Sequence, residues 1–216
     1  MNPRGTTERG SAGRDTARSS RDRLIAAAAL LFHERGYRHV SLERVLREAG
    51  VSRSNLYYHF RSKEDLAVAV IDAWLEDVSR AVLEPALATD GLTPLGRVRA
   101  VVDGLITRLD ADNCRGGCPF GTLANSEAEH NDRFRQKLVE TFDSFAALLE
   151  KLYADAAACG ELPPAAPPPT QLAAGTLGLI QGGYLLSKTY GDITPMRLAA
   201  DGWMDLLAAQ CAGPGA

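Results

Sequence analysis

Cysteine is scarce in this chain, with four in 216 residues at spacings that match no zinc template. That argues against a disulfide scaffold or a structural zinc module. Long apolar runs are missing too. The longest, Leu24 to Phe32, falls far short of the roughly 20 residues that span a bilayer. The first twenty residues are rich in Arg, Gly, Ser and Thr and lack the apolar core of a secretory signal, so a cytoplasmic protein is expected. No HExxH, GxSxG, Walker or GxGxxG pattern occurs, and His33, His39, His59 and His130 are scattered. The Asp-rich stretch from Leu109 to Asn113 has neither the glycine nor the distal glutamate of a calcium loop. No catalytic residue, metal or cofactor is therefore expected, and the chain is not read as an enzyme.

An excess of positive charge is also lacking, since the net charge is −3 with a pI near 5.8. The average conceals an asymmetry. Residues 1–70 hold 13 Lys and Arg against 8 Asp and Glu, a balance of +5, while residues 71–216 hold 11 against 19, a balance of −8. A basic head on an acidic body points to a polyanionic partner that meets the head alone.

Three domains are expected: a disordered basic arm over 1–20, a head over 21–81 and a body over 82–216. From Arg21 the apolar residues Leu24, Ile25, Ala28, Leu31 and Phe32 recur at helical spacing until Gly36. Ser41 caps a short second helix with Leu42, Val45 and Leu46 inward, Gly50 stops it, and Ser52 caps a third running to Phe60. Ser62-Lys-Glu-Asp65 opens a long helix toward Ala88. Residues 42–60 thus read helix, tight glycine turn, helix, an arrangement that lets the second helix enter a DNA major groove. Packing for stability alone would give the same hairpin. What distinguishes the two is the outer face of the third helix. With Leu56 and Phe60 inward, Arg53, Ser54, Asn55, Tyr57, Tyr58 and His59 crowd the remaining surface. These side chains hydrogen-bond base edges, reach phosphates or touch thymine methyls, whereas a merely solvated face would carry Glu and Lys.

The stretch AGVSRSNLYYHFRSKEDL, within residues 21–81, resembles the DNA-binding domain of the TetR (tetracycline-repressor-like) family. The resemblance implies an all-α protein with a three-helix head, a helical effector-binding and dimerisation body, a homodimer, and repression relieved by a small molecule. By motif position, Arg53, Ser54, Asn55 and Tyr57 would face bases or the groove. Tyr58, His59 and Lys63 would hold phosphates, with Ser52 beside them. Glu43 stands where some members carry a basic residue, so Arg44 is expected to supply that phosphate contact.

Beyond the head, Thr93-Pro94, Cys118-Pro119, Glu129, Thr170 and Thr194-Pro195 mark helix starts, and LPPAAPPP over 162–169 is a stiff connector. Most body aromatics are expected in the core. Of these and the nearby polar residues, Phe120, His130, Phe142 and Gln181 are the expected effector contacts. Gly175, Gly178 and Gly182, with Met196, Trp203 and Leu207, are expected to form a four-helix dimer interface from the last two helices. Cys118, at a helix cap with Arg115 three residues before it and Cys114 as a resolving partner, is a candidate reactive thiol, in a turn similar to one in electrophile-responsive relatives. The bland alternative is a small buried apolar residue.

The expected partners are a palindromic double-stranded operator, a second copy of the chain and an unidentified effector, with no membrane. Two other functions remain open: a ligand-independent DNA-binding activator or architectural protein, and a small-molecule carrier or enzyme with a vestigial head.

Overall fold

A computed structural model describes residues 11–211 of the chain, with side chains described over 20–208. Every regular element among the described residues is a helix, and the chain divides into two compact units between Trp74 and Leu75. The sequence expectation put that division after residue 81, because helical periodicity carries no marker inside a continuous helix.

In the first unit, α1 spans Ser11–Arg35. It starts ten residues before the position expected from the sequence, within the segment read there as a disordered arm. Residues 1–10 of that arm lie outside the described residues. Residues 11–20 contain no proline, and extending an existing helix adds one hydrogen bond per residue without a new nucleation cost. Gly36, at φ +80°, ends α1, and a single 3-10 turn over Tyr37–His39 follows. α2 (Leu42–Ala49) begins with Ser41 Oγ accepting from Arg44 N, and Gly50 closes it in the left-handed region at φ +60°. α3 (Arg53–His59) begins with Ser52 Oγ accepting from Asn55 N. α4 (Lys63–Val78) has a two-sided cap: Asp65 N donates to Ser62 Oγ at 3.0 Å, and Arg61 N donates to Asp65 Oδ2 at 3.1 Å. Leu24, Val45, Leu56, Leu66, Val70 and Ile71 are fully buried and form the core that holds α1 to α4 together.

In the second unit a wide π-type turn, Ser79–Leu83, leads into α5 (Glu84–Ala88). Pro85 explains the widening. It has no N–H to donate, and its ring would collide with the carbonyl four residues back in a regular helix. α6 (Pro94–Ala111) starts from the Thr93 cap, α7 (Pro119–Glu127) from Cys118, and α8 (Asp132–Ala158) from Asn131, whose side chain accepts from Phe134 N at 3.0 Å. α9 (Pro169–Tyr190) follows the proline connector without the side-chain cap expected of Thr170, and α10 spans Thr194–Cys211.

Val98 of α6, Leu152 and Tyr153 of α8, Leu172 of α9 and Leu207 of α10 meet in one buried cluster. Inside it the Tyr153 hydroxyl lies 2.7 Å from Thr176 Oγ1 and accepts from Trp203 Nε1 at 3.2 Å, which links α8, α9 and α10. Two glycines let α10 approach α9. A Cβ at Gly175 would meet the Trp203 ring at 2.9 Å, and one at Gly183 would meet Met196 Cγ at 2.7 Å. No helix among the described residues is long and apolar enough to cross a membrane.

Candidate nucleic-acid interface and body cavity

Leu56, at 0% exposure, and Phe60 fix the rotation of α3, so its opposite side must face outward. Arg53, Ser54, Tyr57 and Tyr58 are exposed there, with Tyr57 at 51% and Tyr58 at 77%. Two large aromatics left in solvent beside a guanidinium and a hydroxyl form a surface suited to contact with bases and phosphates. Ser52 is exposed as well, and its hydroxyl is already used in capping α3 and in a 3.1 Å hydrogen bond with Ser54.

Three of the expected contacts are placed differently. Asn55 Nδ2 donates to the Ser20 hydroxyl of α1 at 3.1 Å, so its amide holds the head together and does not stand on the open face. His59 is half-buried, and its Nε2 is shut off from solvent with no hydrogen-bond partner among the described residues. That atom is closed to a phosphate. Lys63 Nζ donates to the Tyr37 carbonyl at 2.5 Å and lies 4.1 Å from the centre of the Tyr37 ring, tying the start of α4 to the turn after α1. For Asn55 and Lys63 a segment distant in sequence supplies a partner that the linear motif cannot display. Arg44 is half-buried with its Nε covered.

Glu43, seen in the sequence only as a departure from the family pattern, has a definite place. Its carboxylate is ion-paired with Arg53, both side chains being more than half exposed. Its own backbone N–H, and then Arg53 and Ser41, hold its carboxyl below the usual carboxylate range. The opposite charges ten residues apart were the available signal. The helix turn that brings them together was needed to use it.

In the body, the packing of α6, α7, α8 and α9 encloses a small cavity of about 50 Å³. Its walls are almost entirely carbon. Phe120 lies 6.5 Å from Phe142 and 5.9 Å from Phe145, ring centre to ring centre, and Leu105 and Ile180 complete the apolar wall. Cys118, Gln181 and Tyr184 supply the polar atoms. The same three residues border an adjoining open groove of about 590 Å³ that also reaches Asn125 and Lys188. Gly121 makes room for this polar group, because a Cβ there would meet Gln181 Oε1 at 2.5 Å.

Phe120, Phe142 and Gln181 therefore line one cavity, as chosen from the sequence. His130 does not. It is exposed in the turn between α7 and α8, where a polar residue at a helix break remains in water. Tyr184, set down from the sequence as one core aromatic among several, lines both cavity and groove.

Cys118 takes the cap position that its Cys-Pro spacing predicts, with Sγ accepting from Gly121 N at 3.4 Å and from Gln181 Nε2 at 3.5 Å. Its surroundings run against the expected thiolate. Burial pushes the thiol up, and hydrogen bonds from Gly121, Gln181 and Phe120 offset this only in part. Arg115 is not among the groups acting on it. The buried alternative describes this residue. Cys114 is buried as well, and its thiol is pushed up by desolvation and then by Asp110 and Asp192, so it does not match a resolving thiolate.

The expected dimer residues also divide. Met196 and Leu207 are buried at 0% and 2% within their own chain, Trp203 is packed on Gly175, and all four belong to the intramolecular core. Gly178 and Gly182 face open space. With Leu185 they form a stripe along α9, and Leu198, Gly202 and Leu206 form another along α10, their leucines 62%, 67% and 62% exposed. The apolar repeat in the sequence had mixed the two faces of α10.

Comparison with known proteins is decisive. The family described as bacterial regulatory proteins, tetR family, matches residues 24–70, and the family described as tetracyclin repressor-like, C-terminal domain, matches 94–203, half of the chain. The chain belongs to the TetR family. It is accordingly a helix–turn–helix transcriptional regulator of a non-enzymatic family, and it binds DNA through its first unit.

The transcriptional regulator AcuR of Cereibacter sphaeroides is 31% identical over 144 residues, which is 64% of this chain and 63% of that relative. LmrA of Bacillus subtilis, an HTH-type transcriptional regulator, is 28% identical over 82% of this chain and 90% of its own. Among solved structures, a TetR regulatory protein from Rhodobacter sphaeroides superposes with a TM-score of 0.79 at 27% identity, covering 86% of this chain and 97% of that one. Within this TetR-family regulator, α2 and α3 are the helix–turn–helix pair, and the cavity lies inside the region matched by the C-terminal family.

Proposed function

We propose that this regulator is a homodimeric repressor that binds a palindromic operator and leaves it when a small molecule fills the body cavity. The observation that carries the reading is the pairing of an outward Arg53–Ser54–Tyr57–Tyr58 face in one unit with an enclosed apolar cavity in the other. The match of the body to a tetracyclin repressor-like family supports repression over activation.

Dimerisation rests on the two open stripes, Gly178–Gly182–Leu185 and Leu198–Gly202–Leu206. Their glycines permit close helix approach, and their leucines form an apolar surface that a second copy would cover. A two-fold operator then requires the two α3 helices to lie one DNA turn apart, roughly 34–36 Å. An effector that favours any other separation releases the DNA. Moving a population from 1:99 to 99:1 takes about 5.5 kcal/mol of preference between the two states.

Titration of the protein against fragments of its own upstream region, with and without metabolite extract, tests the whole reading. The expected result is salt-sensitive binding to one near-palindrome, lost when extract is added, with weakened affinity in Tyr57→Ala and altered base preference in Arg53→Ala. Unchanged affinity and preference in both folded variants would remove α3 as the reading helix. Binding that no extract relieves would favour the ligand-independent alternative.

A further inference from the structure

The body cavity also constrains the chemistry of what enters it. None of its lining residues is Asp, Glu, Lys, Arg or His. An anion or cation placed there would be stripped of water with no counter-charge to meet it, a costly transfer. In the groove outside, the ammonium of Lys188 already donates to the Gly116 carbonyl at 3.3 Å.

The polar end of the cavity has unmet capacity of a specific kind. Gln181 donates only to the weakly accepting sulfur of Cys118, at 3.5 Å. Tyr184 is 9% exposed, lines both the cavity and the open groove, and its hydroxyl makes no hydrogen bond to another described residue. Burial, and then Cys118, push its phenol far above the usual tyrosine range, so near neutrality it stays protonated and able to donate. A ligand oxygen entering the cavity can take up this open donor capacity.

We propose that the cavity takes small uncharged molecules with an apolar body and one hydrogen-bonding oxygen, of the alcohol, phenol or ketone class. The oxygen sits between Tyr184 and Gln181, and the apolar body lies against Phe120, Phe142 and Phe145. This rests on the reading of the cavity as the effector site.

The test is calorimetric titration of the whole protein with four probes of similar shape: benzyl alcohol, toluene, benzoate and benzylamine. Benzyl alcohol is expected to bind most tightly, and benzoate and benzylamine at least tenfold more weakly. Tyr184→Phe should weaken benzyl alcohol roughly fivefold to tenfold, the range of one neutral hydrogen bond, and leave toluene within about twofold. Gln181→Leu gives a second reading of the same selectivity should Tyr184→Phe not fold.

Charged probes binding as well as benzyl alcohol would overturn the proposal. So would a benzyl alcohol-to-toluene ratio unchanged in both variants, or no binding by any probe up to its solubility limit. Release of operator DNA is measured separately. The expected selectivity without release would defeat the effector reading and leave the ligand class standing.

Discussion

Leu206→Glu is the sharpest test of the proposed assembly. The leucine lies on the open stripe of α10 and is 62% exposed. Complete burial of a leucine side chain is worth about 1.5–3 kcal/mol. Covering the exposed fraction at an interface therefore contributes about 1–2 kcal/mol. Two-fold symmetry presents the residue twice, so losing it on both copies costs about 2–4 kcal/mol of dimer stability. At 1.4 kcal/mol per decade the dissociation constant rises about 30-fold to several hundred-fold, before adding the cost of two carboxylates in an apolar seam.

Sedimentation velocity over nanomolar to micromolar protein reads this directly. The expected outcome is a dimer boundary for the wild type and a monomer boundary for the variant across most of that range. The neighbouring Leu207 serves as the control, because it is 2% exposed and packed in the core of its own chain. Leu207→Ala should cost about 2–5 kcal/mol of folding stability and leave the dimer constant of the folded protein unchanged. Equal dimer constants for wild type and Leu206→Glu would refute the stripe as an interface, and a monomeric wild type would refute the dimer itself.

Tyr153→Phe removes the hydroxyl bonded to Thr176 and Trp203. Thr176 keeps its bond to the Leu172 carbonyl while the indole N–H loses its partner, so a loss of about 1–3 kcal/mol is expected by urea denaturation, and less than about 0.5 would show the network to be incidental. Alkali should destabilise the wild type. Burial raises the phenols of Tyr153 and Tyr184, so the unfolded chain releases these protons first, near pH 10; the stabilisation is complete below that pH and is lost as pH rises above it. Urea midpoints between pH 8 and 11.5 should fall less steeply in Tyr184→Phe, and an identical slope would contradict the assigned burial.

Most of the head was legible because its signals are local. Ser41 and Ser52 cap helices three residues ahead of themselves, Gly50 ends one by its own backbone geometry, and Leu56 and Phe60 fix the rotation of α3 by spacing alone. The motif around Leu56-Tyr57-Tyr58-His59-Phe60 added the family. Which polar tips remain outward was not legible. Asn55 meets Ser20, 35 residues away, and Lys63 meets Tyr37, 26 residues away. No periodicity within α3 or α4 reports those distances.

The body divides in the same way. Phe120, Phe142 and Gln181 lie on three different helices, and their type suggested a cavity that tertiary packing then formed. On α10, spacing showed that apolar residues recur but not which of them face α9. Met196 is buried because Gly183 admits it, and Leu198 is left open two positions later.

Cys118 shows the boundary most clearly. The sequence by itself determined its place at the start of α7, since proline at the first helical position and a small acceptor before it are local requirements. Its chemistry was decided by the tertiary structure alone. The helix start favours thiolate, whereas the packing of Gln181 and its neighbours around the sulfur removes the water that a thiolate requires. Desolvation depends on every element that closes around an atom, so it outweighs the local field and leaves no mark in the residues beside it.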